Sequence, residues 1–278
     1  MMKLRTELVA HPSQLTEECR QRWNELARNP FQSWDWLGSW AEAFSEEYSP
    51  AILKVTSNQG RILGFAPFCV ENRLAFGRTI SFLGSGKACS DHLSILAEEG
   101  KTTPVSRAIA DWLVNHHSGD FSWDHLELIG VDLHDLGVDL LADALKKQGV
   151  QVEVKDGLGC YAIDLPLTWD EYVKMRSKSG RREIRQALRK IDDGKVQLKL
   201  VTTEQQLSQH WPHFVELHQR RRNASGTDGC FDHSHFEQFL RTAAERLLSK
   251  GQLRFLVATA EDQPIAVQFA VADESTWY

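Results

Sequence analysis

The sequence lacks an apolar run long enough to cross a membrane, because no window approaches about eighteen apolar residues. Its first residues, MMKLRTELVAHPSQL, contain neither the apolar core nor the cleavage site of a secretory signal. The five cysteines, at positions 19, 69, 89, 160 and 230, are odd in number and scattered. They predict reduced, mostly buried thiols and not a disulfide framework. These absences predict a soluble cytoplasmic protein with no membrane span.

Several catalytic and metal-binding signatures are also missing. The chain has no G-x-S-x-G and no H-E-x-x-H motif, and its GSGKA segment does not have the spacing of a phosphate-binding P-loop. Cys230, His233 and His235 are spaced like metal ligands, but no second Cys/His pair lies at a familiar distance. The sequence therefore predicts no metal site.

The composition is that of an ordinary globular protein, with 278 residues, 42% of them apolar and 25% charged. Nine Trp and thirteen Phe are many for this length. Trp36, Trp40 and Phe44 share one face of a predicted helix capped by Ser33. An aromatic stripe of this kind forms either core or the wall of a ligand cleft, and we favour core.

Predicted helices and strands alternate in a way that indicates a mixed α/β (α+β) fold. The first unit is predicted to contain a helix that Ser13 caps, a second helix, a hairpin of residues 51–57 and 61–72 with its turn at 58–60, and further strands that include 91–97, 123–131 and 150–156. The second unit begins with a predicted strand at 160–166. It also includes a predicted helix over 204–223, in which Pro212 must begin or kink a segment.

We predict two domains, residues 1–157 and 158–278. Residues 276–278 read as the start of a third strand of the last sheet, so the second domain is expected to be incomplete at its C-terminus.

Positive charge is concentrated in one segment of an acidic chain, whose formal net charge is −6. In SKSGRREIRQALRK, residues 177–190, Lys and Arg recur at three- and four-residue steps, so that they share one face of a helix. Ile184, Leu188 and Ile191 form a second, apolar stripe that we expect to face the core. Neither half of the chain is basic enough to indicate a general nucleic-acid coat.

This basic face has two interpretations. Arginine side chains bind phosphate oxygens bidentately, which predicts contacts of Arg182, Arg185 and Arg189 with a phosphate group. Arg221, in the run Arg220–Arg222, is a further candidate if both clusters border one groove. Alternatively, the helix face is solvated and pairs with acidic residues of the first unit.

Two residues are candidates for proton transfer. His218 lies at the core edge of its predicted helix and is either a general base or a hydrogen-bonded structural histidine. Asp91 and His92 begin a predicted strand, where they either position an acceptor amine or cap the local backbone. The sequence does not decide between these roles.

Several segments together resemble a known family. They are NPFQSWDWLGSW, RILGFAPFCVE and FLGSGKACSDHLSI in the first half, and TWDEYVKMRSKSGRREIRQALRKI, FVELHQRRRNASGTDGCF and LRFLVATAEDQPIAVQFAV in the second. The sequence is similar to GNAT-type acetyltransferases related to the CelD cellulose-biosynthesis protein, with a BioF-like acetyltransferase domain, and to the FemAB peptidyltransferases. The spacing of Arg182, Arg185 and Arg189 is among the most specific parts of the resemblance.

The resemblance implies two tandem GNAT-like domains that transfer an acyl group from a thioester, acyl-CoA or acetyl-CoA, to an amine or hydroxyl. FemAB relatives use aminoacyl-tRNA instead. In GNAT domains the pyrophosphate of the donor sits at a Gly-rich loop that precedes a helix. The resemblance places that loop after the fourth strand, and we expect it to be missing from the second domain. We therefore expect weak or no acyl-CoA turnover.

The possible partners remain open at this stage. The acceptor is a small amine, a saccharide or a peptide, and the resemblance points to polysaccharide or cell-envelope biosynthesis. The alternative hypothesis is a non-catalytic module whose basic helix binds RNA or a carrier phosphate. The strand edge at residues 276–278 predicts possible self-association.

Overall fold

We describe a computed structural model of the protein for residues 3–88, 90–117 and 121–278. The strands are β1 (Leu4–Val9), β2 (Ser49–Pro50), β3 (Ile52–Ser57), β4 (Ile62–Ala66), β5 (Phe68–Arg73), β6 (Gly77–Phe82), β7 (Leu96–Ala97), β8 (His125–Leu126), β9 (Gln197–Leu200), β10 (Leu253–Ala260) and β11 (Gln263–Val271). The helices are α1 (Glu17–Leu26), α2 (Trp34–Ala43), α3 (Thr102–Asn115), α4 (Leu136–Lys147), α5 (Trp169–Met175), α6 (Lys178–Asp192), α7 (Glu204–Ala224) and α8 (Ser234–Ser249). The fold is mixed α/β, which confirms the predicted class.

The chain forms two compact units. Unit 1 contains Met1–Lys155, Cys230–Gln252 and Val271–Tyr278, and unit 2 contains Asp156–Gly229 and Leu253–Ala270. The two units are defined by packing, and each is built from segments that are separated along the chain. The division into tandem domains at residues 157 and 158 stays a prediction.

Unit 1 contains two four-stranded sheets, with strand orders β1-β3-β4-β7 and β2-β5-β6-β8. Neighbouring strands are antiparallel except for β6 and β8, which are parallel. The predicted hairpin turn is present, with Gly60 at a φ of 82°. The single strand predicted for residues 61–72 is wrong, because the chain leaves one sheet at Pro67 and enters the other. Proline has no N–H for the ladder, so it favours such a break.

Aromatic side chains fill the core of unit 1. The stripe of α2 is buried, with Trp36 4%, Trp40 1% and Phe44 1% exposed, so the core interpretation is confirmed. Trp36 packs edge-on against Phe239 of α8, with ring centroids 4.9 Å apart. Ser33 caps α2 as predicted. The predicted cap at Ser13 is wrong, because Thr16 caps α1.

Several predicted strands are shorter than expected or absent. Of the segments 91–97 and 123–131, only β7 and β8 form, each two residues long. The segments 150–156 and 160–166 form no strand. Their alternating pattern fits a strand, but a strand also requires a hydrogen-bonding neighbour, which the pattern does not supply.

Unit 2 contains the sheet β11-β10-β9 and helices α5, α6 and α7. Trp211 and Phe214 of α7 pack against Phe255 of β10, with ring centroids 6.3 and 5.5 Å away. The prediction that a segment starts at Pro212 is wrong, because α7 is continuous through this residue. A kink at Pro212 stays a prediction. Tertiary packing of its aromatic neighbours outweighs the lost backbone hydrogen bond.

The residues after β11 fold back on Val271, the last residue of that strand, and Val271–Tyr278 all belong to unit 1. Val271 and Tyr278 exchange two backbone hydrogen bonds, of 3.2 and 2.8 Å, and Ala272 pairs with Trp277 in an isolated antiparallel bridge. Asp273 fixes the intervening turn, since its carboxylate accepts from the backbone N–H groups of Ser275 and Thr276 at 2.7 and 2.8 Å. The predicted third strand is therefore a short bridge.

The cysteines only partly match the prediction of buried thiols. The four cysteines that lie in the described residues form no disulfide, but only Cys69 among them is buried, and Cys160 is exposed. Burial raises the pKa of the Cys69 thiol well above its usual value. Cys89 lies outside the described residues.

Candidate functional site

The basic helix α6 forms as the sequence predicts. The Ser177 hydroxyl caps its first turn by accepting from the N–H of Gly180 at 3.1 Å. Gly194, with a φ of 71°, follows its last turn, where a left-handed residue ends a helix without strain. These local signals define the helix without help from a core.

The apolar stripe of α6 is less covered than expected. None of its residues is buried, and Leu188 is 38% exposed. The expectation that Ile184, Leu188 and Ile191 face a core is therefore wrong, because Leu188 is exposed and the other two are only partly buried. Charged flanks and strong capping let an amphipathic helix form without a fully packed apolar face.

The basic face of α6 is open to solvent. Arg182, Arg185 and Arg189 are exposed, and within the described residues their side chains make no hydrogen bond or ion pair. On a helix, residues three and four positions apart are neighbours, so these guanidinium groups form one continuous surface. Their donors are available to a ligand with phosphate oxygens.

Arg181 has a different role, although it belongs to the same basic segment. Its Nη1 donates to the carbonyl oxygens of Lys174 and Arg176, at 3.3 and 2.7 Å. It therefore joins the end of α5 to the start of α6. The sequence pattern could not separate this structural arginine from the three exposed ones.

The second basic cluster lies in the last turns of α7. Arg221 and Arg222 lie in the last turn, where positive charge complements the helix dipole, and Arg221 is exposed. Arg220 approaches Glu216 at 4.0 Å. In the described part of the chain, no hydrogen bond or ion pair joins Arg221 to α6, so a shared phosphate site with Arg182, Arg185 and Arg189 stays a prediction.

His218, one of the two candidate bases, is half-buried on α7 in unit 2. Its Nδ1 lies 3.2 Å from Oε1 of the neighbouring Gln219. This contact agrees with either interpretation of His218, because a hydrogen bond can orient a base or satisfy a structural histidine. Its catalytic role stays a prediction.

Asp91, the other candidate, is exposed in a loop of unit 1. The neighbouring His92 contacts Asp132, with Nδ1 and Oδ1 2.6 Å apart. No local sequence pattern singles out Asp132, because it lies forty residues further along the chain than His92. The left-handed φ of His92, 56°, is a structural signal that no composition pattern predicts.

Unit 1 contains open surface depressions. One of them, which we name the unit 1 groove, is lined by residues that include Asn24, Arg28, Asn29, Ser33, Lys250 and Asp273. Within residues 3–88, 90–117 and 121–278, no group of three His, Cys, Asp or Glu side chains is placed to hold a metal ion. The described helices also include none that is long and apolar enough to span a membrane.

The C-terminal part of the chain, which includes the basic helix, is similar to a known protein family. Residues 178–278 match the family model of the acetyltransferase (GNAT) domain. The match begins at the first residue of α6 and includes Arg182, Arg185, Arg189 and Arg221. A search of the curated proteins found no match.

The match covers less than half of the chain, and it supports acyltransferase activity of a general kind. Domains of this family generally use acetyl-CoA. The mixed α/β structure of residues 178–278 is consistent with an acyl-CoA N-acyltransferase-like fold. The narrower resemblance to CelD and FemAB proteins stays a prediction.

Proposed function

We propose that the protein is an acyltransferase that moves an acyl group from acyl-CoA to an amine or hydroxyl acceptor. The observation that carries this proposal is the match of residues 178–278 to the acetyltransferase (GNAT) domain. The resemblance of the sequence to CelD-related proteins supports an acceptor in polysaccharide or cell-envelope biosynthesis. His218 and Asp91 remain proposed proton acceptors.

The donor's phosphates are the proposed ligand of Arg182, Arg185, Arg189 and Arg221. The three α6 side chains fit this role because they are exposed and have no carboxylate partner in the described residues. Binding therefore requires no ion pair to be broken first. A bidentate guanidinium–phosphate contact is stronger than a neutral hydrogen bond, and it fixes orientation as well as affinity.

The chemistry proposed for the site is largely positioning. Holding a thioester and an amine together in one site removes much of the entropic barrier to their reaction. A proton acceptor is required, because an amine that has attacked a carbonyl must lose a proton. The acyl donor supplies the activated carbonyl, and the side chains of the protein hold it and accept the proton.

The test is calorimetric titration of acetyl-CoA into the wild-type chain and into the double variant R182Q/R185Q. We expect the affinity to fall at least about tenfold, because each lost charge-assisted hydrogen bond contributes about 1.5–3 kcal/mol. The matched control is R5Q/R241Q, which removes two arginines outside α6. Equal affinity of R182Q/R185Q and the control would contradict the donor-binding role of α6.

A second candidate function is binding of RNA or a carrier phosphate without catalysis. The open, unpaired arginine face of α6 favours it, since such a surface also suits the backbone of a polyanion. RNA affinity should then fall steeply with added salt, and R182E/R185E should flatten that dependence. Salt-steep RNA binding combined with absent acetyl-CoA binding favours this alternative. A FemAB-type transferase that uses aminoacyl-tRNA is a separate, catalytic alternative.

A further inference from the structure

Two aromatic side chains on α5 of unit 2 stack on each other at the surface. Trp169 is 55% exposed, and its ring lies 24° from parallel to that of Tyr172, with centroids 5.3 Å apart. Helix α5 has no buried residue. A Trp that belongs to a core is covered on all sides, as Trp23 is at 0% exposure. The stacked pair therefore does not serve a core, and large exposed aromatic groups are typical of binding surfaces.

Arg176, directly after α5, continues this stack. Residues 169, 172 and 176 are three and four positions apart, a spacing that brings side chains to one side of a helix. The guanidinium of Arg176 lies over the Tyr172 ring, 4.3 Å from its centroid. Its Nε is buried and, in the part of the chain that the structure describes, has no hydrogen-bond partner. We name the three planar groups, Trp169, Tyr172 and Arg176, the α5 ladder.

The α5 ladder is joined to the basic face of α6. The backbone carbonyl of Arg176 accepts from Nη1 of Arg181 in the first turn of α6, at 2.7 Å. Arg182 follows Arg181 directly, and Arg185 and Arg189 continue the same face along about 10 Å of helix at 1.5 Å per residue. One pair of connected helices in unit 2 thus carries both a stacked aromatic surface and a row of arginines.

Positive charge on these two helices is not balanced locally. Of residues 174–190, eight are Lys or Arg, and Glu183 is the one acidic residue. Within residues 3–88, 90–117 and 121–278, no carboxylate lies at ion-pair distance from Arg182, Arg185 or Arg189. A ligand that matches this surface must therefore bring negative charge as well as a flat group for the rings.

This combination identifies the chemical class of the ligand. A bare phosphate would pair with the arginines but leave the rings of α5 uncovered. An apolar peptide would cover the rings but leave the arginines unpaired. A nucleotide satisfies both, because its base has a π-face that stacks on an aromatic ring and its phosphates accept bidentate hydrogen bonds from guanidinium groups.

We propose that α5 and α6 together form a nucleotide-binding site, in which a base stacks on Trp169 and the phosphates contact Arg182, Arg185 and Arg189. The phosphate contacts rest on the proposed function, whereas base recognition by the α5 ladder goes beyond it. Two sources share this chemistry: the adenosine bisphosphate part of coenzyme A and a segment of single-stranded RNA. Arg176 adds a cation–π contact that keeps the ladder in place.

The binding test is calorimetric titration of adenosine 3′,5′-bisphosphate, and separately of single-stranded oligoadenylate RNA, into the full chain. W169A removes the stacking ring and should weaken binding about 5- to 150-fold, while W169F keeps a π-face and should restore most of the affinity. The control W277A removes an exposed Trp of unit 1 and should leave the affinity unchanged. Because Trp169 is exposed, the urea midpoint of W169A should equal that of the wild type.

A third probe, inorganic pyrophosphate, separates the two halves of the site. It has no base, so its binding should be lost in R182Q/R185Q and unchanged in W169A. Adenosine 3′,5′-bisphosphate should quench part of the tryptophan fluorescence of the wild type and of W277A but not that of W169A, and pyrophosphate should quench none.

The two nucleotide probes identify the source of the ligand. Binding of adenosine 3′,5′-bisphosphate that acetyl-CoA displaces supports the acyl donor as the source. Binding of oligoadenylate alone, with an affinity that falls steeply with added salt, supports RNA. Either result supports the nucleotide site, provided that W169A weakens it.

The outcomes also separate this site from the proposed function. Unchanged nucleotide affinity in W169A, or an equal loss in W277A, overturns base stacking and leaves the phosphate role of α6 intact. Nucleotide binding that needs Trp169 but not Arg182 and Arg185 overturns the joint site. Nucleotide binding that needs all three residues, without thiol release from acetyl-CoA to any amine, supports the site and contradicts the acyltransferase proposal.

Discussion

In unit 1, Trp23, Trp40 and Phe65 are at most 1% exposed, whereas in unit 2 Leu188 is 38% and Leu198 49% exposed. The first set lies among interlocking aromatic rings, and Trp23 packs against Phe65 with centroids 4.7 Å apart. The second set lies on α6 and β9, of which no residue is buried. The stability of unit 1 therefore comes from its core, while α6 depends on local signals.

This difference bears on function. A helix that is fixed by its caps can present arginines without serving a core at the same time. In unit 1 the rigid core instead positions loops, and the loop that carries His92 is held by the buried Gln32. We therefore expect substitutions in the core of unit 1 to lower the free energy of unfolding more than substitutions on α6 do.

The largest expected effect is truncation of the unit 1 core. Phe65→Ala removes a fully buried ring and should lower the free energy of unfolding by about 3–5 kcal/mol. Leu188→Ala, at the half-covered face of α6, should change it by no more than about 0.5 kcal/mol. Urea denaturation followed by tryptophan fluorescence measures both. A comparable decrease in the free energy of unfolding in both variants would show that α6 is packed as tightly as the unit 1 core.

Much of this contrast lies beyond what the sequence predicts. The 3.6-residue periodicity correctly locates α2 and α6, because local hydrogen bonds and caps determine a helix. The same periodicity predicts an apolar face for both helices. Only the α2 face is buried, because α8 packs against it from nearly two hundred residues away in the sequence. Burial depends on long-range packing, which periodicity does not contain.

The candidate sites show the same limit. The spacing of Arg182, Arg185 and Arg189 is local and predicts their shared face. The pairing of His92 with Asp132 depends on two loops that meet at Gly130, and no local pattern links them. The strands predicted at residues 150–156 and 160–166 fail for the related reason that a strand needs a partner.

A medium effect is expected from the helix caps of the two units. The Ser33 hydroxyl is buried, and it accepts from Trp36 at 3.2 Å and donates to Pro30 at 2.7 Å. Ser33→Ala should cost about 1–2 kcal/mol, because it leaves buried groups unpaired. Ser177→Ala removes an exposed cap of α6 and should cost about 0.5–1 kcal/mol.

The cap experiment also has a local readout. Amide hydrogen exchange should speed up throughout α6 in Ser177→Ala, while in Ser33→Ala the remaining turns of α2 stay protected by their core contacts. Two outcomes would contradict the view that α6 depends on its cap. One is an equal decrease in the free energy of unfolding in the two variants, and the other is unchanged amide exchange in α6.

The smallest effect is expected from a comparison of two turns, one in each unit. Asp273 in unit 1 accepts hydrogen bonds from Ser275, Thr276 and Tyr278, whereas Asp262, between β10 and β11 in unit 2, has no side-chain hydrogen bond among the described residues. Burial alone would raise the pKa of Asp273, but these hydrogen bonds outweigh it and lower the pKa below its usual value.

A carboxylate with a lowered pKa in the folded state contributes stability above its unfolded-state pKa, and this contribution is lost as the pH falls through the folded-state value. Asp273→Asn should therefore destabilise the protein at neutral pH, and its difference from the wild type should shrink below about pH 4. Urea midpoints measured across that range test this, with Asp262→Asn as the matched control. A wild-type-minus-D273N difference that stays constant down to acid pH would show that the hydrogen bonds of this turn do not favour the ionised form.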